Sequence, residues 1–109
     1  MGAPQRGDLI KLDFGSTQGH EQRGYRRAIV LSPSAYNAKT SLAIVCAITS
    51  QQKGYPFEVE IPKGLKVTGV ILSDQVRTID WKARNVKIVD HAPSSCINKV
   101  TENLAKLIR

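Results

Sequence analysis

The sequence predicts a mostly β domain, a small barrel or strongly bent antiparallel sheet, with one C-terminal amphipathic helix. Short apolar or alternating segments recur between residues 9 and 89, with turn residues between them. The apolar residues then change to helical spacing, at Ile97, Val100, Leu104, Leu107 and Ile108. A chain of 109 residues is the size of one domain, which we expect to span residues 1–109.

The strands are predicted at residues 9–14, 27–32, 41–49, 57–61, 67–72, 75–79 and 86–89. The first alternates apolar and polar residues, Pro33 ends the second, and the third is so apolar that we expect it in the centre of the sheet. Ser73 and Asp74 interrupt the apolar pattern between the fifth and sixth strands. Pro93 suits the first position of the C-terminal helix.

The net charge of +7 and the pI near 9.7 indicate an anionic partner, such as a nucleic acid or an acidic protein. No apolar stretch approaches the roughly 20 residues of a membrane span, and the N-terminus lacks the pattern of a secretory signal. We therefore expect a soluble protein in the cytoplasm. Cys46 and Cys96 lack the spacing of a metal site or a redox motif and are expected to be buried thiols.

Two histidines are the default candidates for proton transfer near neutral pH. His20 lies beside Glu21 in a polar stretch, residues 15–25, that joins the first two predicted strands. His91 precedes the C-terminal helix and has no neighbour in the sequence that would orient it. From the residues alone, His20 and Glu21 are the predicted acid–base pair.

A set of short motifs resembles the MazF/PemK toxins of bacterial type II toxin–antitoxin pairs. The motifs, in chain order, are Gly7-Asp8-Leu9-Ile10, Asp13-Phe14, Gly19-His20-Glu21-Gln22, Arg26, Val30-Leu31-Ser32-Pro33, Tyr36-Asn37, Thr49, Lys53-Gly54-Tyr55-Pro56-Phe57, Gly69, Asp74-Gln75-Val76 and Ala83-Arg84. They span nearly the whole chain at matching spacing, which makes chance agreement implausible.

The resemblance implies an SH3-like barrel of the CcdB/MazF type. It also implies a homodimeric, metal-independent and sequence-selective endoribonuclease that cleaves single-stranded mRNA by attack of the ribose 2′-hydroxyl and so inhibits translation and growth. A cognate acidic, MazE-like antitoxin protein would neutralise it. No cofactor or metal is expected. Glu58 and Glu60 share one strand face, but their spacing is more typical of a solvated edge than of a metal site.

The resemblance also implies that Arg26 and Thr49 carry catalysis. An arginine fork can hold two phosphoryl oxygens at once, and a hydroxyl at a strand end can fix the phosphate. The pKa of an arginine, above about 12, makes it a poor base or acid, so proton transfer is assigned to Glu21, His20 or water. The family commonly has Pro after this arginine, whereas Arg27 follows here, and a shift of one residue would make Arg27 the catalytic residue.

Six residues are predicted to contact RNA: Phe14, Thr17, Asn37, Lys53, Gln75 and Arg84. Aromatic rings at or near loop ends can stack on unpaired bases, and the candidates are Phe14, Tyr25, Tyr36, Tyr55 and Phe57, of which Phe14 and Phe57 could instead lie in the core. Cations such as Lys53 neutralise phosphates. The amides of Asn37 and Gln75 can read a base edge, although either could instead cap a turn.

Two other functions fit the same fold and charge. One is a toxin that poisons DNA gyrase, as the CcdB family does, although the C-terminal Lys-Leu-Ile-Arg lacks the tryptophan-containing tail typical of that group. The other is a non-catalytic nucleic-acid-binding barrel, which would be favoured if Arg26 and Thr49 were far apart in space.

Overall fold

A computed structural model describes residues 2–13 and 25–109. It contains six strands and two helices: β1 (Asp8–Asp13), β2 (Tyr25–Val30), α1 (Ser34–Thr40), β3 (Leu42–Thr49), β4 (Glu58–Glu60), β5 (Val70–Asp80), β6 (Lys87–His91) and α2 (Ser94–Ile108). None of the helices in these two ranges is both long enough and apolar enough to cross a membrane.

The strands form one antiparallel sheet in the order β4-β5-β3-β2-β1-β6. This confirms the prediction of a mostly β fold with a bent antiparallel sheet and a C-terminal helix. Both faces of the sheet are covered, because alternating residues of the same strands enter two separate apolar clusters. Ile29 and Cys46 belong to the cluster beneath α2, while Ala28 and Val45 belong to the cluster that includes Trp81.

The fifth and sixth predicted strands are one continuous strand, β5, so the predicted break at Ser73 and Asp74 is wrong. The polar residues mark a bulge instead. Ile71 pairs with Ile48 of β3, and Val76 pairs with Cys46, so four residues of β5 lie opposite a single residue of β3. The strand bends here, which brings Asp74 and Gln75 to the exposed side of the sheet.

Helix α2 closes one face of the sheet. It buries Cys96, Ile97 and Val100 against strands of the first cluster, as its apolar spacing predicted. Pro93 is the N-cap rather than the first helical residue, one position away from its predicted place. Cys96 and Cys46 are both buried free thiols, as expected.

A buried polar network joins α1 to the sheet through Asn37, whose side chain is fully buried. The Asn37 amide donates to the carbonyls of Pro4 at 2.8 Å and Ser32 at 3.0 Å, and its Oδ1 accepts from the Ser32 hydroxyl at 2.6 Å. The Trp81 indole N–H donates to the Asn37 carbonyl at 2.9 Å. The predicted RNA-reading role of Asn37 is therefore corrected, because this amide is fully used inside the protein.

The turn before β5 is packed directly against the end of β3. Gly69 has a φ of +119°, and a Cβ at this position would lie 2.3 Å from the Thr49 carbonyl oxygen and 3.3 Å from the Ser50 Cα. Only glycine combines this conformation with so close an approach between two backbones. The approach sets the position of the β3 end that carries Thr49.

We expect Asn37→Ala to lower the free energy of unfolding by about 2–4 kcal/mol, because it leaves buried Ser32 and Pro4 groups without partners. Urea denaturation measures the change. Asn98→Ala is the control, since Asn98 is exposed on α2, and we expect it to change stability by no more than about 0.5 kcal/mol. Equal effects of the two substitutions would contradict the role given to the network.

We expect Gly69→Ala to destabilise the fold by more than Gly64→Ala, although both glycines have positive φ. A Cβ at Gly64 has no neighbour within 4 Å, so that substitution carries only the conformational cost of about 1–2 kcal/mol. At Gly69 the Cβ also meets the Thr49 backbone, which adds about 1–3 kcal/mol. Thermal unfolding of both variants gives the difference, and similar melting temperatures would rule out the close contact.

Candidate functional site

The two residues that the resemblance singled out, Arg26 and Thr49, lie at corresponding positions of neighbouring strands. Arg27 of β2 pairs with Ile48 of β3, and the next residue on each strand is Arg26 and Thr49, respectively. Opposite residues of an antiparallel pair have Cα atoms about 4.5–5.5 Å apart and side chains on the same face. Extending this register by one residue places Arg26 and Thr49 opposite each other on one face, which is the arrangement that the catalytic interpretation requires.

Two adjoining surface hollows lie at this position. The arginine hollow, of about 120 Å³, is lined by residues that include Leu12, Arg26, Arg27, Ala28, Gln75 and Arg77. The threonine hollow, of about 180 Å³, is lined by residues that include Thr49, Gln51, Lys53, Tyr55, Asp74 and Gln75. Gln75 lines both hollows, so they meet at this residue.

Backbone contacts orient the groups of the threonine hollow. The Thr49 hydroxyl oxygen accepts the Gln51 N–H at 3.1 Å, so its own hydrogen is available to an acceptor. The carboxylate of Glu58 accepts the backbone N–H groups of Lys53 and Gly54 at 2.9 to 3.2 Å, which holds the loop that carries the Lys53 and Tyr55 side chains. Tyr55 is 60% exposed, an open position for an aromatic ring beside a cation.

The hollows combine cationic and acidic groups, and the cations are in excess. Arg26, Arg27 and Arg77 line the arginine hollow, and Lys53 lines the other. The acidic groups are Asp74 and Glu58, and the Glu58 carboxylate already accepts backbone hydrogen bonds. The surface can therefore hold an anion such as a phosphodiester.

The predicted site residues are thus only partly brought together. Arg26, Thr49, Lys53 and Gln75 share the two hollows, whereas Arg84 is half-buried in the turn after β5 and lines neither. Asn37 lies in the interior. His20, Glu21, Phe14 and Thr17 lie outside the residues that the structure describes.

The second histidine, His91, has a partner far away in the sequence. Its Nδ1 lies 2.9 Å from Oδ1 of Asp8, which is 83 residues away and nearly buried. The other oxygen of Asp8 accepts the Gln5 N–H at 2.8 Å. This contact joins the start of β1 to the end of β6, away from the two hollows. We therefore give His91 a structural role.

Sequence reasoning missed Arg77, which follows Gln75 by two residues on β5 and lines the arginine hollow with it. The signal was available, because residues two apart on a strand face the same side. Gln75 was predicted as a site residue, so its neighbour at that spacing was a candidate as well.

Cys46 lies beneath the β5 bulge, with its sulfur 3.7 Å from the Ser73 carbonyl. Burial, and secondly the negative charge of Asp74, raises the pKa of the Cys46 thiol to about 12. Burial also raises the pKa of Cys96. Neither residue is ionised near neutral pH, so a cysteine nucleophile does not fit this site.

A larger cavity, of about 690 Å³, lies between β4 and α2. Its lining includes Glu58, Glu60 and Glu102 against a single lysine, Lys99. The excess of carboxylates opposes binding of a phosphate backbone. The smaller hollows around Arg26 and Thr49 therefore remain the candidate site.

Comparison with known proteins identifies the family of the chain. Residues 5–108 match the family described as PemK-like, MazF-like toxin of type II toxin-antitoxin system. The chain is 52% identical to the endoribonuclease toxin MazF of Escherichia coli K12 over 81 residues. This alignment covers 74% of this chain and 72% of that protein. It is 38% identical over 105 residues to the endoribonuclease EndoA of Bacillus subtilis 168, which covers 92% and 90%.

Solved structures give the same result. A MazE–MazF crystal structure from Deinococcus radiodurans superposes with a TM-score of 0.92 at 44% identity, over 97% of this chain and 96% of the matched chain. On the family match and these relatives, the chain belongs to the PemK-like, MazF-like toxins of type II toxin–antitoxin systems.

Proposed function

We propose that this toxin is a metal-independent endoribonuclease that cuts single-stranded RNA, including mRNA, and so inhibits translation and growth. The observation that carries the proposal is the placement of Arg26 and Thr49 side by side next to a cationic surface. The relatives named above as endoribonucleases support it.

In the proposed reaction, the ribose 2′-hydroxyl attacks the adjacent phosphorus and the 5′-oxygen of the next nucleotide leaves. Negative charge builds on the non-bridging oxygens as the phosphorus becomes five-coordinate. The Arg26 guanidinium, as a planar fork of donors, stabilises two of these oxygens. The Thr49 hydroxyl donates to the same phosphate from a fixed strand end, because its oxygen is already held by the Gln51 N–H.

Proton transfer needs a base for the 2′-hydroxyl and an acid for the departing oxygen. We assign these steps to Glu21, His20 or water. A guanidinium stays protonated in proteins, so Arg26 is a poor base and a poor acid. Of the two histidines in the sequence, His91 is engaged with Asp8, which leaves His20 as the histidine for this role.

Binding of the RNA on either side of the cut is assigned to the threonine hollow. Lys53 neutralises a phosphate, and the exposed ring of Tyr55 stacks on an unpaired base. Gln75, at the junction of the two hollows, offers both a donor and an acceptor to a base edge. Stacking on Tyr55 requires an unpaired base, which favours single-stranded RNA, and the contact of Gln75 with a base edge gives a basis for sequence selectivity.

An acidic antitoxin is the proposed protein partner, and the cytoplasm the proposed location. The net charge of +7 and the cationic hollow favour a partner that carries carboxylates to the same surface as the RNA. The Deinococcus radiodurans relative was solved as a MazE–MazF complex, which supports a partner of this kind.

A homodimer is the proposed assembly. Beyond Leu72, β5 has β3 on one side and no strand of the described residues on the other, and Val76 in this part is 38% exposed. Leu107 and Ile108 at the end of α2 are 48% and 73% exposed. An open strand edge and apolar side chains of this kind favour contact with a second copy.

We expect Arg26→Ala to lower kcat/KM for labelled single-stranded RNA in EDTA by a factor of roughly 10², the scale of losing one transition-state donor. The melting temperature should barely change, since an exposed arginine at a strand end contributes little folding energy. Arg26→Lys should recover only part of the rate, because it keeps the charge but loses the fork.

Lys63→Ala is the matched control for charge, as Lys63 is exposed and lines neither hollow. We expect nearly unchanged cleavage. Equal, small effects of Arg26→Ala and Lys63→Ala on cleavage would contradict a catalytic role for Arg26. A wild-type protein that binds the RNA in EDTA without cutting it would overturn the enzymatic proposal and favour the non-catalytic binding function.

We expect sedimentation equilibrium at micromolar concentration to give twice the monomer mass of 12.0 kDa. The physical reason is the exposed strand edge and the apolar end of α2. Dilution should bring a reversible decrease in mass. A single 12.0 kDa species over the whole concentration range would exclude the homodimer.

A further inference from the structure

The arginine next to the proposed catalytic residue has a defined contact on the opposite side of β2. The Arg27 guanidinium donates through Nη1 to the carbonyl oxygen of Thr68 at 2.6 Å, across 41 residues of sequence. Consecutive strand residues project to opposite faces, so Arg26 and Arg27 are directed differently. Arg27 borders the arginine hollow, but this donor group is used within the protein.

The residue that accepts this bond precedes Gly69, which is packed on the backbone of Thr49. A Cβ at Gly69 would lie 2.3 Å from the Thr49 carbonyl oxygen and 3.1 Å from its carbonyl carbon. The Gly69 carbonyl in turn accepts the Ile61 N–H at 3.0 Å. The Thr68–Gly69 segment is thus held by β2 through a side chain, by β3 through close packing and by the residue after β4 through a backbone hydrogen bond.

We propose that Arg27 is a positioning residue, whose bond to Thr68 holds the Thr68–Gly69 segment against the end of β3 and thereby fixes the Thr49 hydroxyl relative to Arg26. This inference rests on the proposed endoribonuclease function for its effect on rate. The contact itself does not rest on that function, because Arg27 of β2 bonds to the turn before β5 whatever the substrate is. Arg27 acts here through Thr49 and touches no reacting atom.

The opposing explanation is that Arg27 binds an RNA phosphate. The two roles differ in what they change. A lost phosphate contact weakens RNA binding and lowers the salt slope of binding by about 0.7 to 1 unit. A lost positioning contact leaves the salt slope unchanged and lowers kcat, because small misplacements of a group that acts in the transition state reduce the rate with little effect on ground-state binding.

The test compares Arg27→Ala with Lys11→Ala. Lys11 is an exposed cation on β1 that pairs with Arg27 across the sheet, so the control removes the same charge without the bond to Thr68. We expect Arg27→Ala to lower kcat about tenfold with KM changed less than about twofold. Lys11→Ala should leave both unchanged. Arg27→Lys, which keeps a cationic donor group on a long side chain, should recover part of kcat.

A double-substitution cycle with Thr49→Val separates positioning from general loosening of the structure. Val has the shape of Thr without the hydroxyl, and if Arg27 acts through that hydroxyl, Arg27→Ala should add less than about twofold in the Thr49→Val background. Multiplicative losses would overturn the proposal. So would a salt slope that falls by one unit for an uncleavable 2′-deoxy substrate, because that result identifies a phosphate contact.

Hydrogen exchange provides a readout that does not depend on activity. The reporters are the Ile61 amide, bonded to Gly69, and the Gln51 amide, bonded to the Thr49 hydroxyl. We expect both to exchange at least about tenfold faster in Arg27→Ala than in Lys11→Ala. Unchanged exchange would overturn the positioning role. If the wild-type protein fails to cut RNA, the proposed function fails while these amides still test the contact, and Arg27→Lys allows the same measurement if Arg27→Ala does not fold.

Discussion

The pairing of β2 with β3 determines how Arg26 and Thr49 lie relative to each other. Because Arg27 faces Ile48, Arg26 and Thr49 project from the same face. A slip of one residue would send one of them to the other side of the sheet, into the cluster beneath α2. The β5 bulge belongs to the neighbouring β3–β5 pairing, and it lies opposite β3 at the point where Gln75 joins the two hollows.

The register is fixed from the opposite end of the strands by the buried network. The Ser32 hydroxyl accepts the Ile44 N–H at 2.8 Å and donates to Asn37, while the Leu31 N–H donates to the Ile44 carbonyl at 2.8 Å. A buried polar group tolerates no shift in position, because a displaced donor would be left without a partner. The network around Asn37 is therefore remote from the site and yet sets its geometry.

Local sequence patterns predicted most of the strands and helices. The features that the sequence could not predict depend on contacts between residues far apart in the chain. Alternation placed the strands, and the apolar spacing placed α2. The amide of Asn37 gives no local sign of whether it meets solvent or Pro4, so a buried residue was predicted to bind RNA. The bonds from Arg27 to Thr68 and from His91 to Asp8 span 41 and 83 residues and have no signature in the sequence around either partner.

Helix α2 follows the six strands of the described residues, yet Cys96, Ile97 and Val100 complete the apolar cluster against which β3 packs. On a ribosome, the strands that carry Arg26 and Thr49 emerge while that cluster is still open to water. A sheet with one uncovered apolar face does not reach its stable packing, and domains of this size fold as units. The strands that carry Arg26 and Thr49 therefore reach their stable packing only when α2 has joined the first cluster.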